Sequence, residues 1–396
     1  MKKAWIVMLA AFFGSIAIAA NQFKVPPTMN TLLDRFQIDM TVGGWLMSIF
    51  AVSGIFLALP AAVILGKLGP KKSGLIALGC TLLGSVIGSL AANAQMLLVS
   101  RCIEGVGLGL IAVVTPAVIS MWFPPEKRGL PIGLWSTFVP VGCFVIYNAA
   151  DWIMPVLGWQ GVWWLGTLIT TIAIVFYGLV VTSPVTDTNN SMKQRIEIVD
   201  GFKSQALWIL VIAYTAWTVS MQGIYTWMPP YLSKVLAFDI PKANFYSSLV
   251  LMATIPSCII AGWLLDKVQK NKKRLIPFVS LIVLIFLSYK TFRLGGNDPV
   301  LIFLVLFGFI AGFVPSSVFA LAPETVSRIE LVGISMALIN FGQNIGMSFG
   351  PPITGYVIEN SSWAAGAIPV FVGFSVAAIA MCFYRVKDSQ TYPHIS

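Results

Sequence analysis

The chain has 396 residues, of which 57% are hydrophobic and only 10% charged, and it carries a formal net charge of +10. That usage lies far outside the range of soluble domains and identifies an integral membrane protein. The basic excess is accounted for by loop positions and by anionic inner-leaflet lipid, so it gives no support to nucleic-acid binding.

Apolar runs near the ~20 residues needed to cross ~30 Å of hydrocarbon recur along the whole chain and predict twelve transmembrane helices. The first, 4–28, contains "AANQFKVPP", which places Asn21, Gln22 and Lys24 just ahead of Pro26-Pro27. The second, 42–66, leads through "GKLGPKK" into the third, 73–93, where Gly84 and Gly88 permit close helix approach. The fourth, 96–122, holds Arg101 and Glu104, and the fifth, 129–150, holds Gly129, Gly133, Trp135, Ser136 and Pro140. The sixth is 161–182, after which 183–204 forms the longest polar stretch. The seventh, 205–231, carries Gln222, Tyr225, Trp227 and Pro229-Pro230. Spans at 245–265, 275–293 and 299–322 follow, then 332–357 with Asn340, Gln343 and Asn344 among Gly342, Gly346 and Gly350, and finally 365–384.

With the N-terminus inside, 18 of the 25 Lys and Arg fall in inner loops or tails, while Arg35, Lys234, Lys242, Lys290 and Arg293 fall outside. Positive charge is retained on the cytoplasmic side, so both termini are expected to be cytoplasmic. Lys2-Lys3, an apolar run and Ala17-Ile18-Ala19 mimic a secretory signal. Cleavage would leave eleven spans and invert the charge bias, so retention is expected. The five cysteines all lie in predicted spans without disulfide or metal spacing, and no cofactor or metal is expected.

The two halves repeat each other. "KVPPTM" matches "WMPPYL", "GKLGPKK" matches "DKVQKNK", and "TPAVISMWFPPEKRG" matches "VPSSVFALAPETVSR". The expected organisation is therefore an all-α integral membrane fold of two duplicated six-helix halves: 1–182, a cytoplasmic linker 183–204, 205–384, and a tail 385–396. Such a bundle places its substrate near the midplane between halves and exposes it alternately to each side.

These residues resemble the major facilitator superfamily over essentially the whole chain. The second-to-third loop of that family carries a glycine, an acid, a base, a glycine and further bases. Lys67, Gly69, Lys71 and Lys72 fit this pattern, while Gly66 stands at the acid position; the second copy keeps Asp266 and Lys267. The resemblance implies gating roles for these residues, with Asp266 tethering its loop and no such tether in the first half. Arg101 with Gly105, Gly107 and Gly109, and "GWQGVWW" at 158–164, are similar to other family segments. Within the superfamily the chain looks most like the cyanate-permease and nitrate or organic-anion branch, on "NQFKVPP", the short loops and the first-half basic residues.

A charge inside a span costs at least ~2.5–3.5 kcal/mol unless it is paired or wetted, and only Lys24, Arg101 and Glu104 fall within spans. Their repeat counterparts, Trp227, Val300 and Phe303, are uncharged. Lys24 either snorkels to headgroups or faces substrate. Arg101 and Glu104, three residues apart, form either a bracing pair or a functional apparatus, in which Glu104 partly neutralises the two cations and leaves one positive charge for an anionic substrate, or carries protons. Candidate substrate contacts are Asn21, Lys24, Arg101, Trp135, Gln222, Tyr225, Trp227, Asn340 and Asn344, each with a structural alternative as an interhelical hydrogen-bonder or packing group.

Enzyme chemistry finds no foothold: the single histidine, His394, lies in the tail, and no hydrolase, zinc or phosphate-loop motif occurs. The expected function is secondary transport of a small organic or inorganic anion through the cytoplasmic membrane, by a monomer, with proton coupling or exchange. The alternatives are an exporter of drugs or amphiphiles and, from another class, a nontransporting sensor.

Overall fold

The computed structural model describes residues 2–57, 60–124, 129–182, 204–269, 272–295, 298–326 and 332–385. The expected linker, apart from Ser204, and the tail beyond Arg385 lie outside these, as do Lys127, Arg128, Lys270 and Arg328 of the loop-charge pattern.

Among the described residues every regular element is helical. In chain order we name α1 (Lys2–Gln22), α2 (Val25–Phe36), α3 (Met40–Leu57), α4 (Pro60–Ser89), α5 (Ala94–Trp122), α6 (Gly129–Trp135), α7 (Phe138–Val180), α8 (Gln205–Lys234), α9 (Ile240–Met252), α10 (Thr254–Lys267), α11 (Leu275–Ser288), α12 (Val300–Ala311), α13 (Phe313–Leu321), α14 (Val332–Asn360) and α15 (Ala367–Phe383). Nine stretches among the described residues are long and apolar enough to cross a bilayer, and α11 is a shorter apolar helix. Two helical runs contain a reversal at a glycine in the left-handed region, Gly69 at φ 72° in α4 and Gly158 at φ 64° in α7. Only glycine adopts that backbone without a Cβ penalty, so each marks a sharp kink between two helical segments.

The large apolar side chains that face outward, such as Phe56, Val156, Leu179, Phe286 and Phe383, are distributed around the bundle on helix after helix. In water such a surface would aggregate, whereas in lipid it costs nothing. Polar backbone is kept inside the helices, and ends are capped locally. Asn93, for example, accepts from the Met96 N–H at 2.8 Å at the start of α5.

Helices α1, α3, α4, α5 and α7 pack on one another, as do α8 with α14 and α15, and α11 with α15. Small residues set the separations. A Cβ on Gly105 would run into the Phe50 carbonyl, one on Gly84 into Glu104, and one on Gly88 into Trp163. Of the glycines read from the sequence, Gly84 and Gly88 make room for one particular buried cluster, whereas Gly342, Gly346 and Gly350 pack on Thr215, Thr218 and Val219 of α8 and Gly133 meets nothing within 4 Å.

Contact between the helices of residues 2–180 and those of residues 205–383 is dense at one end and runs along α3 and α14 as far as Gly54 and Asn344. At the dense end Asn30 donates to Ser233 at 2.8 Å, the Met40 N–H to Glu359 at 2.8 Å, and Asn244 to Asp151 at 2.6 Å. Phe23 and Tyr225, Trp45 and Phe349, and Phe144 and Phe245 meet ring to ring across the same divide. The matched pairs Pro26-Pro27 and Pro229-Pro230 line one small cavity beside Asn30 and Ser233. Toward the opposite end, bonds among the described residues within one group include Tyr177 to the Pro70 carbonyl, Ser204 to the Thr325 carbonyl, and Lys273 to Glu324.

Replacing Gly105 with valine is expected to cost about 1–3 kcal/mol through overpacking. Gly133→Ala, where no atom lies within 4 Å of the new Cβ, leaves stability unchanged or slightly raised. Thermal unfolding of the solubilised protein measures both.

Candidate functional site

The centre of the first-half group is built by a proline problem. Proline at position i removes the N–H that would bond the carbonyl at i−4, so Pro26 orphans the carbonyl of Gln22. The helix breaks there: α1 ends at Gln22, residues 23 and 24 form a turn, and α2 starts with its prolines in the first helical turn, where they are tolerated. The prolines thus open the second segment and do not merely close the first.

Arg101 supplies the missing donors. Its Nη2 bonds the Gln22 carbonyl at 2.8 Å, Nη1 the Asn21 carbonyl at 2.7 Å, and Nε the Leu46 carbonyl at 3.0 Å, while the guanidinium lies over the Phe50 ring at 4.5 Å. A buried cation needs an anion, and Glu104, one turn along the same helix, bonds Arg101 Nη1 through Oε2. Its other oxygen, Oε1, accepts from Lys24 Nζ at 2.5 Å. Lys24 also donates to Asn21 Oδ1 and Ser85 Oγ, each at 3.0 Å, and rests over the Trp163 ring at 4.8 Å.

All three charged side chains are fully enclosed, at 0% exposure. Lys24 therefore does not snorkel, because each of its three N–H groups is spent inside the bundle. Asn21 is spent too: its amide donates to Ala17, Gly166 and Thr170, and its carbonyl oxygen accepts from Lys24. Glycine at 166 is required, since a Cβ there would overlap Asn21. With all three groups ionised, the cluster carries one uncompensated positive charge.

The counterpart in α8 is solved differently. Pro229 orphans the Tyr225 carbonyl, and the Tyr147 hydroxyl, from the other group of helices, donates to it at 2.8 Å. Pro351 in α14 likewise orphans the Met347 carbonyl, which accepts from Ser48 of α3 at 3.2 Å. Trp227, the counterpart of Lys24, is wholly buried, with its N–H on the Pro351 carbonyl at 2.9 Å.

The remaining candidates stand apart from the charged cluster. Trp135 bonds Ser15 at 3.0 Å and stacks on Phe138. Asn344 bonds back to the Asn340 carbonyl at 3.1 Å and lies against Gly54, while Asn340 is exposed. Gln222 is almost entirely buried without a hydrogen bond to another described residue. Tyr225 meets Phe23 ring to ring at 6.4 Å. Among the expected gating residues, Gly69 makes the left-handed reversal, Lys67 and Lys72 are exposed, Lys71 is half-buried, and Lys267 lies over Trp263 at 3.9 Å. The side chain of Asp266 lies outside what the structure describes. Sequence reasoning did not find Ser85, Trp163, Tyr147 or Ser48. The proline positions show which carbonyls need a partner, but only the fold shows who supplies it.

Residues 8–332 match the Major Facilitator Superfamily. The chain is similar to the "Putative niacin/nicotinamide transporter NiaP" of Bacillus subtilis (25% identical; 85% of this chain, 83% of the relative). It is also similar to the D-galactonate transporter of Escherichia coli O6:H1 (21% identical; 96% of this chain, 94% of the relative). Among solved structures, a bacterial homolog of the human lysosomal transporter Spinster, inward-facing and unoccupied, superposes with a TM-score of 0.74 at 15% identity, covering 96% of this chain and 95% of that one.

Removing Glu104 strands two buried cations, so Glu104→Ala is expected to cost about 3–5 kcal/mol. Lys24→Met leaves Arg101 and Glu104 paired and jointly neutral, and costs about 1–2 kcal/mol. Thermal unfolding in detergent compares the two; equal losses would show that charge pairing is not what the cluster supplies.

Proposed function

Because the chain belongs to the Major Facilitator Superfamily, we propose that it is a secondary active transporter that moves a small organic anion across the cytoplasmic membrane. It is a multi-pass membrane protein and not an enzyme. The proposed topology is twelve spans in two six-helix halves with both termini inside: the α7 run counts as two passes divided at Gly158, and α11 and α14 complete the second half. In this arrangement the end closed by Asn30–Ser233 and Asn244–Asp151 is the outer end, and substrate reaches the midplane from the inside.

The observation that carries the anion reading is the enclosed cluster of Lys24, Glu104 and Arg101, in which two basic side chains share one carboxylate and leave one positive charge over when all three are ionised. Their donors are already used, so the cluster acts through its field and not by touching substrate. A unit charge ~10 Å away at an effective dielectric of ~20 contributes about 1.7 kcal/mol, enough to prefer a carboxylate over its uncharged amide. Contact falls to neutral groups: Gln222, Tyr225, Asn340, Asn344 and Trp135. The relative named as a D-galactonate transporter, whose substrate is a carboxylate, supports the class. Glu104 is the proposed proton carrier, since neutralising it would release both cations at the break in the first span.

The enclosure of both cations favours a second reading, export of uncharged amphiphiles held by the same aromatic and amide groups. Uptake into proteoliposomes separates the two. A panel of aromatic and aliphatic carboxylates is expected to be taken up about tenfold faster than the matching amides, and Lys24→Met removes that preference. Faster amide uptake would favour the exporter. An imposed pH gradient is expected to drive accumulation in the unmodified protein but not in Glu104→Gln.

Alternating access makes a further demand. The Tyr225 carbonyl has its Tyr147 donor only while the outer end is shut. Tyr147→Phe therefore removes about 0.5–1.5 kcal/mol from the closed state alone, a shift of roughly two- to tenfold toward outer-open molecules. Spin labels placed on α2 and α8 report it as a growth in the longer distance population.

A further inference from the structure

Where α7 and α9 meet at the closed end, a cleft of about 540 Å³ opens between the two groups of helices, lined by Asn148, Asp151, Trp152, Pro241, Lys242 and Phe245. Its two charges are not spent on each other. Asp151 accepts from Asn244 on one oxygen only, and Asp239, at the start of α9, acts on it electrostatically with the same sign. The Lys242 ammonium has rings for neighbours, Phe238 at 4.2 Å and Tyr246 at 5.6 Å, and no carboxylate partner among the described residues.

The surroundings are those of a membrane face and not of an aqueous vestibule. Trp152 is 84% exposed and Val156 80%, with Phe245 and Ile240 also outward. Tryptophan at a span end marks the headgroup level. A cleft at that level therefore offers, side by side, a cation, an acidic pair and an apolar slope.

We propose that this cleft is a binding site for a phospholipid with a primary-ammonium headgroup. The ammonium sits against Asp151 with Asp239 behind it, the phosphate against Lys242, and the first acyl carbons along Trp152 and Phe245. A choline headgroup cannot donate hydrogen bonds to Asp151, and a glycerol headgroup brings no cation. The walls come from opposite sides of the divide and are joined there by the Asn244–Asp151 bond, so the cleft exists in this form only while that end is closed. Bound lipid consequently favours the closed outer end.

The test is native mass spectrometry of the full chain released from bilayers containing ethanolamine-, choline- and glycerol-headgroup phospholipids with identical acyl chains. The expected result is about fivefold greater retention of the ethanolamine lipid than of either other lipid. Loss of that preference is expected in Lys242→Gln, an exposed position, and in Asp151→Asn, which keeps a partner for Asn244. Loss in either variant supports the site. Equal retention of the three lipids by the unmodified protein, or an unchanged preference in both variants, overturns it. Retention does not require transport, so this proposal fails or stands separately from the substrate reading.

Discussion

In hydrocarbon no water is available to satisfy a backbone carbonyl that lacks its helical partner, and this chain places proline pairs inside its spans. The first proline of each pair leaves the carbonyl one turn earlier without its helical donor, and in all three pairs a side chain from another helix supplies one. Arg101 repairs the first span. Tyr147 and Ser48 repair two positions of the second half. The requirement is strict because an unpaired buried carbonyl costs on the order of 1–3 kcal/mol, more than most single packing contacts return.

The choice of repair differs between the halves, and the difference has consequences. Arg101 lies in the same group of helices as the carbonyls it caps, so that repair does not depend on contact between the two groups. It also brings a charge, which brings Glu104, which in turn accepts Lys24; one proline leads to a three-member buried ion cluster. The hydroxyl caps carry no charge but come from across the divide, so they tie satisfaction of the second half to its contact with the first. The proline pair at 26–27 thus sits at a charged core, and the pair at 229–230 sits at a contact between the two groups of helices.

Small residues make the charged core affordable. Gly84, Gly88 and Gly166 each occupy a place where a methyl group would collide with Glu104, Trp163 or Asn21. Three helices can then approach closely enough for Lys24 to complete all three of its hydrogen bonds. A lysine with a free N–H in that position would draw water or move to the headgroups. The saturated one stays.

Much of this was determined by the sequence alone. Hydropathy runs, loop charges and the internal repeat specify a helical membrane protein and its class, because in lipid the backbone leaves few alternatives and the signal per span is strong. The short list of intramembrane charges followed too, since such groups are rare and costly. What the sequence did not determine is which side chain serves which carbonyl. The break after Gln22 follows from Pro26, but its capping by a residue 79 positions away does not. Nor does the spending of Asn21 on Lys24 and the sixth predicted span, or the meeting of Asp151 with Asn244. Those pairings depend on helix rotation and separation, set by packing of glycines and aromatics over long sequence distances, and only the tertiary structure decided them.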